Sequence, residues 1–217
     1  MRCRVGKCRE IKINEFHERK NVMKTIRALL LAWITLAGCA GNTELLRQAE
    51  LPERSNIFTI VTTATSPERG YADLTIRASV KTHHAALFPR GKDPHGTSDY
   101  QLLVNIDGEP LRIYGAPTIE EGSSDAERHP EAGSGTRYLF RAHVRLPAGS
   151  HRVIVALPGD RVAVQHDIRL DEMTDTLLEV VPSYYSDRRQ LGPGSAGATS
   201  FREGISGLEL AVNGKAL

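Results

Sequence analysis

Arg137-Tyr138-Leu139-Phe140-Arg141-Ala142-His143-Val144-Arg145-Leu146, then Pro147-Ala148-Gly149-Ser150, then His151-Arg152-Val153-Ile154-Val155-Ala156-Leu157, decides the fold class. Its apolar period is two, not 3.6. Tyr138, Phe140, Ala142, Val144 and Leu146 fall on one side, and Arg137, Arg141, His143 and Arg145 on the other. Pro147 to Ser150 reads as a turn, and His151 to Leu157 as the next strand. Pro158-Gly159-Asp160 is a second turn. Beyond it Val162, Val164, Ile168 and Leu170 alternate with Arg161, Gln165, Asp167 and Arg169.

The same period extends in both directions. Leu74, Ile76, Ala78 and Val80 alternate with Asp73, Thr75, Arg77, Ser79 and Lys81. Tyr100, Leu102, Val104 and Ile106 share one side of a strand. Asp107-Gly108 is a type I′ hairpin signal that returns the chain through Glu109–Tyr114. Ile57–Thr63, Thr176–Val181 and Gly207–Val212 add strands, the last ending on Asn213-Gly214. Val104–Leu111 and Leu210–Leu217 therefore look alike, as convergent hairpin chemistry. The fold expected over residues 57–217 is all-β: an Ig-like or transthyretin-like sandwich of about 7–9 antiparallel strands. Phe88–Asp99, Gly115–Thr136 and Ser186–Glu203 are expected as loops.

The N-terminal region has another character. Lys24 and Arg27 precede the apolar run Ala28–Leu36, which is about half the length of a bilayer-spanning helix. Leu36-Ala37-Gly38-Cys39 follows it and resembles the lipobox of bacterial lipoproteins. That resemblance implies diacylation of the Cys39 thiol and cleavage before it, the anchor resting on two or more acyl chains. An ordinary signal peptide cut nearby, with Cys39 incidental, is the alternative. Residues 1–22 are polar and basic, and read as an over-extended start before Met23 or as a long leader. The expected organisation is 23–38 signal peptide, 39–56 lipidated Cys and tether, and 57–217 the sandwich. Ala40, not Asp, follows Cys39. By resemblance to lipoprotein sorting, this implies an outer-membrane address facing the periplasm.

Charge separates the two regions. The chain holds 28 Lys/Arg and 26 Asp/Glu, of which the first 38 residues take nine and three. The remainder carries 19 basic and 23 acidic residues, a net −4. A mildly acidic domain argues against nucleic-acid binding and against electrostatic attachment to anionic lipid. Cys3 and Cys8 lie in the leader, so the expected mature chain holds Cys39 alone and no intramolecular disulfide.

Leu146-Pro147-Ala148-Gly149-Ser150-His151-Arg152-Val153-Ile154-Val155 is similar to the core of PEGA-type and related transthyretin-like envelope modules, over about 35 residues ending at Leu170. The aromatic-Gly pair that opens the following strand in that family is replaced here by Pro158-Gly159-Asp160. The resemblance implies a surface or envelope binding module.

Candidate chemistry is sparse. His83, His84 and His95, with Asp93 and Asp99 nearby, are the candidate metal ligands. Neighbours on a strand point to opposite faces, so His83 and His84 reach one ion only if the strand has ended. A polar strand end and a solvated loop are the other reading. His143 and His151 flank one turn, where a hairpin would bring them together, and His166 falls in the apolar register of its strand. Gly192-Pro193-Gly194-Ser195-Ala196-Gly197 lacks the strand–turn–helix setting of a nucleophile elbow. Tyr184, Tyr185, Arg188 and Arg189 form a candidate binding patch, against which stands simple packing of the Tyr rings at a sheet edge. The expectation is a lipid-anchored, non-catalytic binding or accessory module without a cofactor. Its partner would be another envelope protein or a glycan. The alternatives are a metal-binding periplasmic protein and a structural subunit of a secretion or export assembly.

Overall fold

The chain is described here by a computed structural model covering residues 37–63, 65–85, 93–122, 129–186 and 199–217, with side chains from Gly41 onward. Residues 1–36, the side chain of Cys39, and Arg188 and Arg189 lie outside the described residues. One helix, α1 (Ala37–Glu50), precedes β1 (Thr59–Ile60), β2 (Tyr71–Thr82), β3 (Gln101–Ile106), β4 (Glu109–Tyr114) and β5 (Ala116–Glu120). Then follow β6 (Gly135–Pro147), β7 (Gly149–Leu157), β8 (Val162–Leu170), β9 (Asp175–Tyr184), β10 (Ile205–Val212) and β11 (Lys215–Ala216). Asn42–Leu217 forms one compact unit. Among the described residues no helix is long and apolar enough to cross a membrane.

Two sheets pack face to face as a β-sandwich. The larger has seven strands in the order β1-β6-β2-β9-β10-β11, with β5 also on β6; the smaller runs β4-β3-β7-β8. β2 and β6 pair over their full shared length, from Tyr71 opposite Pro147 to Thr82 opposite Thr136. The alternation works as expected: Tyr138, Phe140, Val144 and Leu146 are fully buried and meet Leu74, Ile76 and Val80 in the common core. Leu102, Val104, Ile106, Val153, Val155 and Leu157 close it from the smaller sheet.

Several features depart from the sequence expectation, among them the eleven strands of the described residues against the 7–9 expected. First, β2 and β9 pair in parallel, from Asp73 opposite Asp175 to Ala78 opposite Val180, so the sandwich is not wholly antiparallel. Second, Pro147–Gly149 is no hairpin, because β6 belongs to the larger sheet and β7 to the smaller. It is a corner at which the chain changes sheets, held by the Ala148 amide donating to Gly70 O at 2.9 Å. Consequently His143 and His151 keep separate partners, Asp73 at 3.2 Å and Asp107 at 2.7 Å. Third, Ala116–Glu120, expected within a loop, pairs with β6 as β5, while only Thr59–Ile60 of the Ile57–Thr63 run is strand. His166 is half-buried rather than sealed in the core.

The segment expected as a tether is ordered. Leu45, Leu46 and Ala49 of α1 pack on the outer face of the smaller sheet against Leu103, Ile154, Ala156 and Ala163. This explains why Val153–Leu157 is apolar at every position: a strand covered on both faces loses its alternation. Asn105, 3% exposed, donates from Nδ2 to Gln48 O at 2.9 Å and Leu51 O at 3.4 Å, satisfying carbonyls at the helix end. Asn42 donates to Arg161 O and accepts from the Ala163 amide, both at 2.9 Å. One asparagine thus fastens each end of this docked stretch.

Both Asx-Gly hairpins form as their sequences require. Asp107 and Gly108 have φ of 49° and 97°, and Asn213 and Gly214 have 50° and 78°, the positive values that a two-residue I′ turn demands.

Candidate histidine–carboxylate site

β2 ends at Thr82, so His83 stands just beyond the ladder. Its Nδ1 lies 2.8 Å from His84 O. A carbonyl only accepts, so Nδ1 carries a proton, and in the neutral imidazole Nε2 is the nitrogen left to ligate. That Nε2 lies 3.5 Å from Asp93 Oδ2. Asp93 opens a tight turn in which Thr97 N donates to Pro94 O at 3.1 Å, and the turn returns His95 onto the same carboxylate. Both the His95 amide, at 3.0 Å, and its Nδ1, at 2.6 Å, meet Asp93 Oδ1. One ligand atom each from His83, Asp93 and His95 lies within 4.8 Å of the other two.

A second turn closes on this loop. Asp160, in the Pro158–Arg161 connection between β7 and β8, places Oδ1 3.2 Å from His95 Nε2. Its Oδ2 accepts from the Tyr100 hydroxyl at 2.7 Å. The two turns approach so closely that a Cβ on Gly159 would stand 2.9 Å from Pro94 Cγ and 3.2 Å from the Tyr100 ring, which requires glycine there. Rings continue from the site into the core: His83 on His95 at 4.8 Å, His95 on Tyr100 at 5.1 Å, Tyr100 on Tyr138 at 4.7 Å.

Electrostatics follow from this enclosure. Burial alone would lower the His95 pKa, but the hydrogen bonds and charges of Asp160 and then Asp93 outweigh it and raise it. For Asp93, burial pushes upward, and bonds from the His95 amide and ring bring the net shift below the ordinary carboxylate value. Burial, then the adjacent Asp160 charge, holds the Tyr100 phenol well above its usual range. A hollow of about 180 Å³ adjoins the cluster, lined by His83, His95, Asp160, Lys81, Phe201 and Arg202 among others.

The structure sorts the sequence candidates. His83 and His95 converge, with Asp93 between them. His84 turns away, its Nδ1 3.2 Å from Thr136 Oγ1, and Asp99 is exposed, with its amide on Thr97 Oγ1. Tyr184 is 8% exposed and structural: its hydroxyl donates to Glu131 at 2.8 Å and accepts from the Lys81 amide at 3.2 Å. Burial and then the Glu131 contact raise its pKa. Tyr185 is 54% exposed. Asp160 and Tyr100 are the residues that sequence reasoning passed over. One reads as turn chemistry and the other as core, and only the folded chain joins them to His95.

No protein-family model, no curated protein sequence and no solved structure matches this chain.

Proposed function

We propose that this chain is a lipid-anchored cell-envelope protein whose sandwich, Ig-like or transthyretin-like in detail, is a non-catalytic binding module for a divalent transition-metal ion. The observation that carries the ligand is the convergence of His83 Nε2, Asp93 and His95 Nδ1. Two imidazoles and one carboxylate suit zinc, copper or nickel better than magnesium or calcium, which prefer oxygen alone. Three protein ligands leave a position open for water or an exogenous group. Support for the address comes from Leu36-Ala37-Gly38-Cys39 after its apolar run, and Ala40 favours the outer membrane.

Calorimetric titration of the purified full chain with Zn²⁺ tests the ligand. His83→Ala and His95→Ala should each abolish binding, whereas His84→Ala should retain it, because His84 faces Thr136. Binding at saturating zinc, about 100 times Kd, should stabilise the fold by about 2.7 kcal/mol. Equal heats from wild type and His95→Ala would reject the site. Fractionation of Cys39→Ala tests the address independently: that variant should leave the membrane fraction, and wild-type-like partitioning would reject lipidation.

A further inference from the structure

We infer that Asp160 is the positioning residue of this site, fixing the His95 ring so that Nδ1, not Nε2, is offered to the metal ion; the inference rests on the metal reading above. The two ring nitrogens point away from one another, so the one committed to Asp160 is lost to the ion. Asp93 Oδ1 lies 2.6 Å from Nδ1, and Asp160 Oδ1 lies 3.2 Å from Nε2. The His83–Asp93–His95 cluster places the ion on the Asp93 side; because a carboxylate only accepts, binding there releases to solvent the proton that Nδ1 shares with Asp93, while Nε2–H stays on Asp160. Asp160 itself does not rotate freely. Its side chain is 4% exposed, and its second oxygen is held by the hydroxyl of Tyr100, which is 1% exposed. The result is a relay of fixed groups running from the core through Tyr100, Asp160 and His95 to the ion. A carboxylate accepting from the far nitrogen of a ligating imidazole raises its basicity and locks its orientation. His83 obtains the same service from a backbone carbonyl, its Nδ1 lying 2.8 Å from His84 O. The two histidines thus present opposite nitrogens, Nε2 from one and Nδ1 from the other, each with the remaining nitrogen occupied.

The test compares wild type, Asp160→Asn, Tyr100→Phe and His95→Ala as full chains. Zinc affinity is read by competition with a chromophoric chelator, and the imidazole protonation sites by long-range ¹⁵N–¹H spectra of the zinc-loaded protein. Asp160→Asn should weaken zinc by roughly ten- to a hundredfold. Tyr100→Phe, which leaves the carboxylate in place but unanchored, should weaken it less and in the same direction. The wild-type spectrum should show His95 metallated at Nδ1 and protonated at Nε2, and His83 the reverse. Unchanged affinity in both variants, with His95→Ala still losing zinc, would overturn the role of Asp160 while leaving the metal site standing. Metallation of His95 at Nε2 would overturn it as well. Should Asp160→Asn fail to fold, the affinity of Tyr100→Phe decides: a fall supports the relay and wild-type binding rejects it. Absence of zinc binding by wild type would instead reject the parent reading.

Discussion

Replacing Asn105 by Ala should detach α1 from the sandwich. The side chain is buried in β3 and makes three contacts: Nδ2 donates to Gln48 O at 2.9 Å and to Leu51 O at 3.4 Å, and Oδ1 accepts from the Gly108 amide at 2.8 Å. Each hydrogen bond contributes about 1 kcal/mol net, and a partner left dry and unpaired costs about 1–3 kcal/mol. Two of the three distances are short and one is long, so the expected loss is about 2–3 kcal/mol. For a unit of this size that corresponds to a fall in Tm of roughly 5–10 °C. The loss should also be local. Leu45, Leu46 and Ala49 have only the outer face of the smaller sheet to pack on, whereas the sheet has a second, larger core behind it. Urea unfolding gives the magnitude, and native-state hydrogen exchange gives the place. The amides of α1 and Gly108 should exchange faster, while those of β2 and β6 should follow only the global change. A stability change below about 0.5 kcal/mol, or unchanged protection in α1, would refute the assignment of Asn105 as the clasp of the helix.

Three further outcomes follow from the same geometry. The hydrogen bonds and charge of Arg145, bidentate on Asp73 at 2.7 and 2.9 Å, lower the Asp73 pKa against the effect of burial, with a smaller contribution from His143. A depressed folded pKa means that the stabilisation is complete above the unfolded value, about 3.9, and is lost as pH falls through the folded one. The stability gap between wild type and Asp73→Asn should therefore be constant at neutral pH and shrink only below about pH 4, as measured by urea midpoints; a gap that widens on acidification would contradict it. Gly108→Ala and Gly214→Ala both force alanine to a positive φ, worth about 1–2 kcal/mol. Only the Gly108 Cβ meets neighbours, Glu53 Cβ at 3.1 Å, so the Gly108 variant should be the less stable in thermal melts. Asn42→Ala and Asp160→Asn touch one turn and should couple by more than about 0.5 kcal/mol in a double-mutant cycle, whereas Asn105→Ala with Asp160→Asn should be additive within that margin.

The fold was legible wherever one face of a strand is wet. β2, β6 and the two Asx-Gly hairpins follow from alternation and turn chemistry, because side-chain period and positive φ are local properties. Sheet membership was not local. Nothing in Pro147-Ala148-Gly149 separates a hairpin from a corner, since both need the same turn residues, and the parallel β2–β9 pairing joins strands about a hundred residues apart. The role of α1 was hidden for a similar reason. Its short apolar stretch, Leu45-Leu46 with Ala49, reads as two weak turns until it meets Leu103 and Ile154. The pointer present in the sequence was the unbroken apolar run Val153–Leu157, which signals a strand covered on both faces. At the site, His83 and His95 were legible as residue types. Their separation in the chain is bridged only by the turn at Asp93 and by the end of β2 at Thr82, which removes the opposite-face constraint.

The Pro158–Arg161 turn links the two parts of the proposed function. Asp160 holds the His95 ring, and the next residue, Arg161, offers its carbonyl to Asn42 at the start of the docked stretch of α1. Arg161 adopts a φ of 58°, so the turn stands in a conformation that a non-glycine side chain resists and that its contacts must maintain. Those contacts come from two separate segments: Asp160 reaches toward Tyr100 and His95, and the Arg161–Ala163 backbone reaches toward Asn42. In sequence, Asn42 is only three positions from Cys39. If Cys39 carries the lipid, only Ala40 and Gly41 lie between it and Asn42, far fewer than the seventeen residues of a tether over 40–56. Releasing α1 would lengthen that connection and remove one of the two supports of the turn. Occupancy of the site should therefore raise hydrogen-exchange protection at Ala163 N in wild type and not in Asp160→Ala, because that variant removes the acceptor that couples the ligated ring to the turn.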